Sequence, residues 1–113
     1  MPKYSLVVLT NAVAGREEEF NEWYSGQHLA DVVALPGVVS AQRFHLAPLQ
    51  RAATPSPYRY LAIYEVETDD LAATVAALRE RAGTDLMPLS DAMADDRYAY
   101  FFEPMGEATR APA

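Results

Sequence analysis

His28 is the side chain best suited to carry a proton near neutrality, because an unperturbed imidazole titrates at about 6.5. Tyr24 stands four residues before it and Asp31 three residues after it. On an unbroken α-helix those offsets put all three on one face. Asp31 would then hold the imidazole tautomer, and Tyr24 would donate to a ligand oxygen. By the same helical arithmetic Trp23, the only tryptophan, falls off that face and reads as a packing anchor. The bland alternative is a half-buried histidine with both nitrogens satisfied by side chains, and spacing alone favours it.

Arg43 is the second candidate, since a guanidinium fork matches a carboxylate, phenolate or enolate. A lone arginine more commonly pairs with an acid, and sixteen Asp and Glu are available. His45, two residues on, reads as an exposed strand end. Tyrosines crowd two strand-like segments, and Tyr60, Tyr64 and Tyr98 are the candidates for lining a cavity around an aromatic ligand. Aromatic residues favour strands for their own reasons, so packing explains them as readily.

Other chemistries lack their residues. With no cysteine there is no disulfide framework, thiolate metal site or Cys nucleophile. The two histidines lie seventeen positions apart with no H-x-x-x-H pair, so no metal site is expected. No glycine-rich phosphate-binding pattern occurs, and the basic residues that would hold haem propionates are scarce. Cofactor-free chemistry is the expectation. A net charge of −7 without a basic stripe argues against nucleic acid. Apolar runs are far too short to span a membrane. No signal-peptide pattern precedes the first strand, so no signal peptide is expected.

The elements that must position these residues follow from periodicity. Lys3–Thr10 reads as a buried strand. Arg16 to about Leu35 reads as a helix with glutamates in its first turns, weakened at Ser25-Gly26 and stopped by Pro36-Gly37. Strands are predicted over Val38–Leu46, Tyr58–Val66 and Arg97–Glu103, with a proline-rich loop at Ala47–Pro57. A second helix, about Leu71–Ala82, follows the capping residues Thr68-Asp69-Asp70 and carries a Leu71, Val75, Leu78 stripe. Thr84–Asp96 is irregular, with one helical turn expected around Ser90–Ala94. The order β-α-β-β-α-β predicts an α+β, ferredoxin-like fold: a four-stranded antiparallel sheet with both helices on one face, spanning residues 1–103 before a tail of 104–113. Apolar side chains on both sides of every strand predict a homodimer, two sheets packed face to face as a dimeric α+β barrel.

The stretch F-N-E-W-Y-S-G-Q-H-L-A-D-V-V-A-L-P-G-V-V-S-A-Q-R-F then resembles the EthD-like branch of the dimeric α+β barrel proteins. The matching residues are the aromatic pair Trp23-Tyr24, His28, Pro36-Gly37 and Arg43. Ala30 stands where that branch often has proline, and Ser25 where it often has an acid. The resemblance implies a small cytoplasmic homodimer with a ligand cavity between sheet and helices. It does not imply one reaction, because relatives include accessory proteins, isomerases, cyclases, dehydratases and cofactor-free monooxygenases. Two functions therefore stand open: an acid–base enzyme on an aromatic or carbonyl-bearing compound, and a non-catalytic accessory dimer.

Overall fold

The computed structural model describes residues 1–113. Its elements are β1 (Lys3–Thr10), α1 (Glu17–Trp23), a π-helical turn (Tyr24–His28), α2 (Leu29–Val33), β2 (Val38–His45), β3 (Tyr60–Glu67), α3 (Leu71–Arg81) and β4 (Tyr98–Phe102). All strand pairings are antiparallel, in the order β2-β3-β1-β4. This is the ferredoxin-like arrangement, with the first and third strands of the sequence at the centre of the sheet.

Pairing register assigns the faces. Leu6 lies opposite Tyr64 and Phe101, and Val8 opposite Ala62 and Ala99, so these share the face that the helices cover. Phe20, Tyr24, Val32 and Leu35 from the helical stretch pack onto it and are buried with Leu6, Tyr64 and Met87. A bulge in β2 between Val38 and Ser40 inserts one extra residue. It lets Val38, opposite Val66, and Ala41, opposite Tyr64, both join the core while Val39 turns outward, 53% exposed. The other sheet face carries Val7, Leu9, Leu61, Ile63 and the β4 aromatics Tyr98, Tyr100 and Phe102, and no helix covers it.

Three local expectations are corrected. The first helix is not one α-helix from Arg16 to Leu35: it begins at Glu17, widens at Tyr24–His28, and its last α-turn ends at Val33. In α3 the fully buried residue is Thr74, while Leu71, Val75 and Leu78 are half-buried. Thr74 lies where its hydroxyl donates to the Pro36 carbonyl at 2.6 Å, pinning α3 to the turn that ends the first helix. Gly37 in that turn has φ +88°, and a Cβ there would stand 3.0 Å from Thr68 Cβ, so glycine is required. Ser90–Ala94 forms only a turn, because its backbone bonds elsewhere. Val13 N–H donates to Ala92 O at 2.7 Å and Ala94 N–H to Asn11 O at 2.9 Å. Asp70 caps α3 by accepting from Ala73 N–H at 3.1 Å. No helix or strand forms after Phe102.

Candidate functional site

The π-helical turn decides what His28 meets. Leu29 N–H reaches back five residues to Tyr24 O, one more than an α-helix allows. Residues five apart are thereby brought into line, and the Trp23 and His28 rings stack at 4.6 Å with planes 26° apart. Tyr24 meets the same imidazole edge-on at 4.8 Å. Trp23 is therefore a neighbour of His28, contrary to the expectation for an unbroken helix. Its indole N–H donates to Pro88 O at 3.2 Å, tying the 84–96 segment over the site.

The interior cavity beside His28 measures about 130 Å³ and lies between helices and sheet. Leu6, Val8, Val32 and Met87 give it apolar walls; Tyr24, Tyr64, His28 and Arg97 bring the polar atoms. The Tyr24 and Tyr64 hydroxyls hydrogen-bond at 2.9 Å. Two O–H groups sharing one bond leave one proton free to donate elsewhere. Burial pushes both phenols above their ordinary value, so both stay protonated at neutral pH. Burial also lowers His28 to about 4; the charges of Arg97 and Arg43 act the same way, and Asp31 opposes them. The imidazole is thus neutral at pH 7. Its Nδ1 is buried without a hydrogen-bond partner, and so is Oδ2 of Asp31. Such atoms are rare in native structures, and functional sites are among their causes.

Arg43 packs against Tyr24 as well. Its place in β2 is opposite Ala62, whose small side chain leaves room for the guanidinium. The guanidinium carbon stands 4.4 Å from the Tyr24 ring centre, with Phe20 and Tyr60 at 5.4 and 5.5 Å. Its nitrogens donate to Ser25 Oγ and Asn21 Oδ1, each at 2.9 Å. No acid pairs with it; the ion pairs of the chain belong to Arg16. An open cleft of about 370 Å³ begins here, lined by Asn21, Arg43, His45, Arg59 and Tyr60 among others.

Of the residues singled out in the sequence, Tyr24, His28 and Tyr64 share the interior cavity. Arg43 and Tyr60 share the open cleft, together with His45. Asp31 follows His28 on α2 but does not line the cavity, and Tyr98 stands on the uncovered sheet face against Tyr100 at 4.6 Å. Sequence reasoning missed Asn21, Arg59 and Arg97. The Asn21–Ser25 spacing of four, one helical turn, was a legible signal for the first; nothing local marked the other two.

No protein-family model matches the chain, and no curated protein does. Solved structures do match in fold. A heme-degrader, MhuD, from Mycobacterium tuberculosis, with two hemes bound in its active site, aligns at TM-score 0.60 and 16% identity. That alignment covers 94% of this chain and 99% of that one. A dimeric ferredoxin-like protein of unknown function from Thermobifida fusca aligns at 0.55 and 18%, covering 91% and 92%. An EthD family protein from Bacillus halodurans aligns at 0.50 and 15%, covering 91% and 99%. The chain therefore shares the ferredoxin-like fold with these proteins, including an EthD family protein, as the sequence resemblance implied.

Proposed function

We propose that the protein is a homodimer that binds an aromatic or carbonyl-bearing organic compound of about one ring in the interior cavity, with His28 as its proton carrier. The observation that carries this reading is the unpartnered His28 Nδ1 beside an apolar cavity that also holds the Tyr24–Tyr64 hydroxyl pair. A neutral imidazole accepts a proton from carbon next to a carbonyl, and the free tyrosine O–H donates to the enolate oxygen that results. Return of the proton from the imidazolium to a different carbon of a conjugated enolate completes an isomerisation without a cofactor. Tyr24 and Tyr64 bind the oxygen, and Arg43, packed against Tyr60 as well, holds the Tyr24 ring in place. Tyr98 is better read as a contact between sheets. The dimer is supported by the uncovered face, where Phe44, Tyr100 and Phe102 are 39%, 60% and 49% exposed, and by the dimeric neighbour of the same fold. Haem, which another neighbour binds, is too large for a cavity of about 130 Å³.

A specific observation favours the second reading, a non-catalytic accessory dimer. The cavity is well below the ~300 Å³ from which ligand pockets usually start. Acetophenone separates the two. In D2O an acid–base site exchanges its methyl protons for deuterium, and His28→Ala slows that exchange ~10²-fold while changing stability by less than ~1 kcal/mol. Exchange no faster than in buffer, in a chain that sediments as a dimer, leaves the accessory role. Sedimentation as a 12.5 kDa monomer overturns the dimer.

A further inference from the structure

Two arginines converge on the open cleft, and neither has an ion-pair partner. In a chain of net charge −7 that is unusual placement, and none of the seven cleft-lining residues is acidic. Arg43 is half-buried and bonded only to the neutral oxygens of Ser25 and Asn21. Taking a charge partly out of water without an opposite charge is costly, and an arriving anion offsets that cost. Two of the five guanidinium N–H groups are occupied, leaving enough for one carboxylate. Arg59 is exposed on the other wall, its backbone N–H fixed to Asn11 Oδ1 at 2.9 Å. Glu17 lies near it, yet the Glu17 carboxylate accepts from Gly15 N–H and makes no ion pair. The apolar part of the lining includes Tyr60 and Leu46, which suit a ring, and the cleft is nearly three times the volume of the His28 cavity.

We propose that this cleft binds the carboxylate of a small aromatic acid, held between Arg43 and Arg59, at a site separate from the His28 cavity.

Calorimetric titration of the full chain with sodium benzoate at low salt tests it, with benzamide as the neutral analogue and inorganic phosphate as a ringless anion. Saturable benzoate binding is expected, with benzamide weaker by about tenfold or more, the worth of one charge-assisted contact. Arg59→Gln, on the exposed wall, keeps the fold and weakens benzoate by about tenfold. Arg43→Gln weakens it further. His28→Ala leaves benzoate affinity within about twofold of the parent, since a variant outside a site has little effect on it. Equal affinity for benzoate and benzamide, an unchanged Arg59→Gln, or phosphate binding as tightly as benzoate overturns the proposal. A large loss in His28→Ala overturns it too, by placing the anion in the interior cavity.

Discussion

Tyr24 lines one pocket and packs against the arginine of another, and the two differ in how each treats charge. The His28 cavity is mostly apolar, and its imidazole and phenols are held neutral beside the charge of Arg97. The Arg43 cleft is open to water and keeps a guanidinium charged without an acid beside it. The contrast has a physical cause. A histidine answers burial by giving up its proton, whereas an arginine stays charged and must find neutral oxygens and ring faces instead. On the proposed readings, the same backbone offers a proton acceptor in one pocket and an anion receptor in the other.

The largest test removes Tyr24 itself. Tyr24 is 1% exposed and touches Phe20, Trp23, His28, Tyr64 and Arg43. Tyr24→Ala should cost ~4 kcal/mol in urea unfolding, the range of a buried aromatic truncation. A cost under ~1 kcal/mol would mean that the surrounding rings collapse onto the space Tyr24 leaves.

Acid comes next. His28 titrates at about 4 in the fold and near 6.5 when unfolded. Between those values the unfolded chain holds a proton that the folded chain refuses. Stability should therefore be intact above about pH 7 and fall by ~3 kcal/mol as pH drops through that window. His28→Gln should lack this component, so the difference between the two pH profiles isolates it. An NMR titration of the imidazole with a midpoint near 6.5 would show instead that the cavity is wet.

Tyr64→Phe deletes one partner of the hydroxyl pair and leaves the other in a mostly apolar pocket. The expected loss is about 1 kcal/mol, with benzoate binding unchanged because the outer cleft does not use that bond. If benzoate weakens in step with stability, the pockets are coupled through Tyr24. The smallest change is expected at Gly26, in the middle of the π-helical turn, where an added Cβ would meet nothing within 4 Å. Gly26→Ala should stabilise by ~0.5–1 kcal/mol through the unfolded chain alone. A loss instead would show that the wide turn depends on glycine.

Legibility followed the range of the forces involved. Element order, the Pro36-Gly37 stop, the Asp70 cap and the four strands are short-range outcomes, set by periodicity and by residues a few positions apart, so they could be read along the chain. Element ends shifted by one or two residues: β3 starts at Tyr60 rather than Tyr58, where pairing with β1 starts. The closeness of Tyr24 and His28 was equally local. Tertiary structure decided the rest. An i to i+5 bond swung Trp23 onto His28, a wide turn for which Ser25-Gly26 suggested only weakness. The bulge at Val39 and the β2–β3 register placed Arg43 over Tyr24, beside oxygens from a helix about twenty residues away. Register likewise sent Tyr98 to the uncovered face and Tyr64 to the cavity. Strand alternation says which residues share a side, but only pairing and helix packing say which side is inside.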